Sequence, residues 1–419
     1  MIRAEPEEQA VVITTGRETD NASSITSLKL TGRVDRLEAT CDGGGSADIT
    51  LTVTETENID DITELETVVT YQLVSGTREM FLKSTVDAVR TEDDGGKLTV
   101  RVHLPPVGHL GFLDVGGFRM RVDIAVVVGS RSSSSSSVDV TILNETAGAC
   151  EINPGGALAI TSRELTLGNV DVKTKTGSIK STAAPLLARS VVFASVSGLI
   201  DIASIDTTTN NSPTTTTSLV ILESETASIT ATSVTADSLV CATTSGQIAI
   251  DAVAVARSLS CKAESGSISI MALRAAESLT LSTKTGVLFV GKGAHVSRKV
   301  ALSTLTGQIT ADLEAFRALN VSSGSGNVAL VVAPSEGAKS KVGTVSGTVD
   351  VLCRGFSGAV AGRSGNGGEV ILEGVNLVDG EYKKTGYTQG WVGADVGGNS
   401  EGSFDIQTDS GRSLVKFID

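Results

Sequence analysis

The sequence predicts an all-β protein, a parallel β-helix with coils of about 20 residues, preceded by a β-rich N-terminal portion. Three observations point there: a recurring Ser/Thr-Gly step, period-two alternation of apolar residues on both sides of it, and a composition that is 40% hydrophobic yet only 3% aromatic over 419 residues, with 45 glycines. Such usage suits a regular architecture of small stacked side chains better than an ordinary globular core.

The steps are Gly177, Gly198, Gly246, Gly266, Gly286, Gly307, Gly326 and Gly347. From Gly246 onward they are 20, 20, 21, 19 and 21 residues apart. The gap of 48 between Gly198 and Gly246 hides one degenerate copy at Ala227, lengthened by the polar insert Thr207 to Thr217. In Ser238-Leu-Val-Cys-Ala-Thr-Thr-Ser-Gly-Gln-Ile-Ala-Ile250 and Ser258-Leu-Ser-Cys-Lys-Ala-Glu-Ser-Gly-Ser-Ile-Ser-Ile270, apolar residues stand seven and five before the glycine and two and four after it. That alternation marks two half-buried strands around a turn, and a looser apolar patch (Val253 and Val255, Leu273, Leu313 and Phe316) supplies a third side in several copies. Helical repeats have periods near 33 or 34 and apolar spacings of three or four, which this pattern contradicts. The glycines are read as corner residues that need φ above zero, so Gly266→Val is expected to destabilise.

The repeat is not visible before residue 130, although strand-like runs are (Asp48-Ile-Thr-Leu-Thr-Val, Lys97 to Leu104, Phe118 to Ile124). Residues 1–130 are therefore read as a β-rich portion capping the solenoid and residues 131–419 as the β-helix, with Ser132 to Ser137 as a flexible linker or loop. The phrase returns in Ser403-Phe-Asp-Ile-Gln-Thr-Asp-Ser-Gly411, read as a last coil.

The recurrent Leu-x-Val-x-Thr-x-Ser-Gly-x-Ile-x-Val phrase, as in residues 239–250 and 279–290, resembles the bacterial putative-adhesin domain of unknown function and its eukaryotic relatives, over roughly residues 150–411. The resemblance implies a right-handed coil. It brings no catalytic motif to carry over.

The formal net charge of -14 argues against a nucleic-acid or anionic-membrane partner. No apolar stretch is long enough to span a bilayer, and the N-terminal residues offer no signal-peptide core, so a soluble intracellular compartment is expected. Cys41, Cys150, Cys241, Cys261 and Cys353 lack the spacing of a zinc site, and no cofactor or metal is expected. Cys241 and Cys261 fall on adjacent coils, where a disulfide is possible but a ladder of apolar thiols is preferred.

No catalytic constellation emerges. His103, His109 and His295 stand apart, and His295 lies in Gly291-Lys-Gly-Ala-His-Val, which neighbouring coils lack. Lys262, Glu264, Lys284, Lys292, Arg298, Asp312 and Arg317 fall on successive coils at differing offsets, as on a solvated face of mixed charge. The acidic run 57–66 lacks the spacing of a calcium loop. Hydroxyl residues recur three and one before the glycine (Thr243 and Ser245, Thr283 and Thr285, Thr304 and Thr306). Shared parity with the inward residues predicts that both rows are buried, which disfavours an ice-binding face. Tyr387 and Trp391 form either a recognition patch or, preferably, a hydrophobic plug over the last coil. Four Asn-x-Ser/Thr sequons (Asn21, Asn144, Asn210, Asn320) are what a Ser/Thr-rich chain carries by chance.

The reading is thus a non-enzymatic scaffold presenting an extended face to a protein or glycan, with Lys262, Lys284, Arg317, Tyr387 and Trp391 as the candidate surface. The alternative is a β-helix carbohydrate-active enzyme, a lyase or hydrolase, distinguished by whether charged residues converge in a groove.

Overall fold

The computed structural model describes residues 25–31, 34–43, 46–56, 66–75, 84–91, 96–104, 119–129, 138–146, 150–154, 167–181, 185–207, 218–274, 276–374, 387–392 and 402–418. Their regular elements are all strands, in two compact units, Met1–Ala227 and Ser228–Asp419. The acidic run at 57–65, the serine run, His109, Asn21 and Asn210 lie outside the described residues.

The first unit carries β1 (Ile25–Thr31), β2 (Arg36–Gly43), β3 (Ser46–Thr56), β4 (Glu66–Ser75), β5 (Thr85–Thr91), β6 (Lys97–Leu104), β7 (Arg119–Gly129), β8 (Asp139–Asn144), β9 (Cys150–Pro154), β10 (Leu167–Thr174), β11 (Ile179–Ser181), β12 (Leu186–Ser195), β13 (Ile200–Asp206) and β14 (Leu219–Ser224). Inward residues stack in register, as in Leu98, Leu37, Val140, Val170, Val191 and Val220. Parallel coil pairing thus starts at β2, well before residue 130. The sequence missed it because irregular insertions between these strands erase the period.

Spatial order differs from chain order in this unit. β6 and β7 pair on one side of β2 and β3, whereas β8 and β9 pair on the other, so the coil 36–56 is held between two coils. Antiparallel strands then cover the outer one: β5 lies on β6, β4 on β7, and β1 on β4. This occupies edges that would otherwise template further pairing.

The second unit carries β15 (Ile229–Thr243), β16 (Ile248–Ala263), β17 (Ile268–Arg274), β18 (Ala276–Thr283), β19 (Leu288–Thr304), β20 (Ile309–Glu314), β21 (Ala318–Ser323), β22 (Val328–Ala333), β23 (Lys339–Thr344), β24 (Val349–Arg354), β25 (Gly358–Ser364), β26 (Glu369–Glu373), β27 (Tyr387–Val392), β28 (Ser403–Thr408) and β29 (Arg412–Ile418). On the side preceding the glycine, Leu239, Leu259, Leu279, Val300 and Leu319 form one ladder. On the side following it, Ile229, Ile248, Ile268, Leu288, Ile309, Val328 and Val349 form another. These residues are essentially inaccessible to solvent, which is how a core forms with few aromatics.

Here too the order is exchanged. β28 and β29 pair with β23 and β24 on one side and with β25 and β26 on the other, so the coil 403–418 is inserted between two coils that precede it in the chain. β27 lies antiparallel on β25. Phe356, Phe404 and Phe417 fill this region, with ring centroids 5.6 to 5.8 Å apart.

The repeat glycines lie in bends between strands, and a positive φ is not what calls for glycine there. None of the repeat glycines is among the described residues with positive φ. What excludes a side chain is the coil beneath: a Cβ at Gly266 would stand 1.7 Å from the Gly246 carbonyl oxygen, and one at Gly198, Gly286, Gly307, Gly326 or Gly347 would stand 1.7 to 2.2 Å from the oxygen of the glycine one coil earlier.

The hydroxyl rows also separate. Residues three before the glycine are buried, and they hold the corner: the Gly246 N–H donates to Thr243 Oγ1 at 2.9 Å and the Gly347 N–H to Thr344 Oγ1 at 3.1 Å. Residues one before it, Ser245, Thr285 and Thr306 among them, are exposed, which corrects the parity expectation. The strand ends at minus three, and alternation does not continue through the bend.

All five cysteines are buried free thiols, and Cys241 stacks on Cys261 in register. Burial pushes Cys41, Cys150 and Cys353 up to about 12. At pH 8 such a thiol is ionised in about one molecule in ten thousand, so native protein is expected to resist iodoacetamide and react fully once unfolded. Unfolded thiols ionise from about pH 8.5, so stability conferred by keeping them neutral is complete below that pH and is lost as pH rises toward 12. The melting temperature should accordingly fall above about pH 8.5, and less steeply in Cys353→Ala; native alkylation at pH 8 would refute the assignment.

Candidate functional site

The candidate surface read from the sequence does not form one patch. Lys262 and Lys284 both act on Glu264: the Lys284 ammonium lies 2.9 Å from its carboxyl and holds it below its usual value, with Lys262 adding to the effect. Arg317 lies in the bend just before β21, where its backbone N–H donates to the Arg298 carbonyl at 3.1 Å. Arg298 in turn faces Glu277 at 3.4 Å. Tyr387 and Trp391 lie on β27, opposite Arg363 and Ala359 of β25. The Trp391 indole is half-buried, and its Nε1 is shielded without a hydrogen-bond partner. His295 is exposed on β19, and His103 pairs with Asp42 at the surface. Asn144 of the second sequon is fully buried and donates to the Ala47 carbonyl at 2.9 Å.

Sequence reasoning missed a trough on the outer face of the second unit, on the side following the glycine. Outward positions there form two columns. One runs Phe289, Thr310, Ala329, Asp350 and Leu414; the other includes Asp312, Val331, Leu352 and Lys416. Strand pairing at about 4.8 Å per coil makes the trough about 19 Å long. Its volume is about 510 Å³ and its lining is mostly apolar.

One end of the trough is shaped by a bulge. Between Val290 and Ala294, β19 uses two more residues than β20 does between Ala311 and Leu313. Gly291 packs where a Cβ would lie 1.9 Å from the Met271 carbonyl oxygen, and Gly293 has φ +68°. These two glycines let the chain bow outward and carry Lys292 over the trough. The signal was present in Gly291-Lys-Gly293 and in Phe289, Val331 and Leu352, which interrupt an outward row otherwise rich in small or polar residues.

Among the described residues, Lys292, Asp312 and Asp350 at the rim make no ion pair, and no group of three or more His, Cys, Asp or Glu is placed to hold a metal ion. Among the described residues, no helix is long and apolar enough to cross a membrane. The trough can therefore offer apolar contact along its floor and charges of both signs at its rim.

The stacked parallel coils agree with a family comparison, in which the model described as Toastrack DUF4097 matches residues 45–286, more than half of the chain. The chain belongs to the Toastrack DUF4097 family. Toastrack is a β-solenoid fold, and the resemblance to a putative-adhesin domain of unknown function holds. Similar solved structures include a putative cell adhesion protein from Clostridium sporogenes, 10% identical, covering 94% of this chain and 100% of that one at a TM-score of 0.17. Putative adhesins from Parabacteroides distasonis (9% identity, 94% and 97% covered, TM-score 0.27) and Parabacteroides merdae (10%, 94% and 96%, 0.26) are also similar. No curated protein matches.

Proposed function

We propose that this Toastrack chain is a non-enzymatic scaffold that holds a protein or glycan partner on the outer face of its second unit. The observation that supports this is the apolar trough across five coils, where Phe289, Val331 and Leu352 face outward and only half-buried. Covering each of these side chains would contribute on the order of 1 kcal/mol, half of what full burial yields. Unpaired rim charges then add specificity more than affinity.

The test compares wild type with the double variant Val331→Thr, Leu352→Thr, which removes apolar surface without stacking like charges beside Asp312. Both residues point outward from the sheet, so the melting temperature should be little changed. Immobilised wild type should retain a species from the source cell's soluble or envelope fraction that rebinds in purified form, and the variant should lose it by tenfold or more. Equal retention by both baits, or none by either, would remove the trough from the argument. Depolymerisation of an acidic polysaccharide by pure protein would replace the scaffold reading with an enzymatic one.

A further inference from the structure

Among the described residues, β26 has a neighbour on one side only. It pairs with β29, and among the described residues no strand lies on its other side, whereas β25 of the same coil is paired on both. The Glu369 N–H donates to the Gly411 carbonyl at 3.1 Å, so by alternation along a parallel ladder the N–H and C=O of Val370 and Leu372 point to the open side. Val370 and Leu372 continue the inward ladders of Ser413 and Val415, which are fully buried, yet they remain half-exposed themselves. Hydrogen-bonding groups and an unfinished core thus end together at Glu-Val-Ile-Leu-Glu, and such an edge is a template for an added strand.

Charge selects the occupant. Glu369 and Glu373 flank the edge at 65% and 50% exposure, and their ion pairs with Arg412 and Lys416 are long, at 3.7 and 3.9 Å. A second copy of this edge would set glutamate against glutamate in either direction. We propose that β26 accepts an extended polypeptide segment of the pattern basic-apolar-x-apolar-basic as an additional strand. Its outer residues face Glu369 and Glu373, and its second and fourth cover Val370 and Leu372. The pattern reads the same in both directions, so it fits a parallel or an antiparallel partner.

The probe is a fluorescent Gly-Lys-Val-Thr-Val-Lys-Gly peptide titrated into the full chain and followed by anisotropy. Saturable binding is expected, at least tenfold weaker for Gly-Glu-Val-Thr-Val-Glu-Gly and abolished when the three central amides are N-methylated. Val370→Pro should lose the peptide tenfold or more while keeping its melting temperature, because proline is tolerated where the edge N–H faces away from its neighbour. If that variant does not fold, Glu369→Lys with Glu373→Lys should reverse the preference between the two peptides. Undiminished binding of the N-methylated peptide would reduce the effect to charge attraction and overturn strand addition. Concentration-dependent dimerisation of the wild-type chain that Val370→Pro prevents would overturn the choice of occupant.

Discussion

Gly266→Val is expected to destabilise the second unit by more than about 4 kcal/mol, the range reserved for substitutions that break packing outright. The reason is contact with backbone, not torsion. The added Cβ would lie 1.7 Å from the Gly246 carbonyl oxygen, and neither group can move without shifting a coil that is paired above and below. Gly337 provides the control, since it has φ +70° and nothing within 4 Å of a built Cβ. Gly337→Ala should cost only about 1 to 2 kcal/mol, the price of a left-handed L-residue. Thermal unfolding of Gly266→Ala, Gly266→Val and Gly337→Ala decides between the two accounts. If Gly337→Ala is as damaging as Gly266→Ala, torsion governs and the stacking explanation fails.

That correction shows what was legible in the sequence. Period and alternation are local, so the coils from Gly177 to Gly347 and their inward ladders could be read directly. Why each glycine is a glycine depends on the coil beneath it, which no single repeat displays. The exchanged coil orders were hidden for the same reason: Phe404 and Phe417 look like the last coil in the chain, and nothing in their spacing says that they insert one place earlier. The trough follows from outward residues contributed by coils that are distant in sequence. Phe289 and Leu414 are 125 residues apart yet stand in one column, so only the register reveals their neighbours.

Phe404→Ala is expected to cost about 3 to 5 kcal/mol, the usual range for removing a fully buried phenylalanine. Phe404 is 1% exposed and meets both Phe356 and Phe417 edge-on, within a three-ring cluster whose remaining pair, Phe356 and Phe417, is tilted. Its place in the coil order makes the consequence two-sided. β28 is hydrogen-bonded to β23 through Ser403 to Thr408 on one side and to β25 through the same residues on the other. A cavity there loosens the strand that, among the described residues, joins those two ladders, and local opening then releases amides on both. Hydrogen exchange should therefore lose protection in β23 and in β25 together, while β16 and β18, several coils away, keep theirs. A strand merely added at the end of the stack would unprotect a single neighbour. Loss confined to β23 with β25 unchanged would mean that the inserted order does not hold in solution.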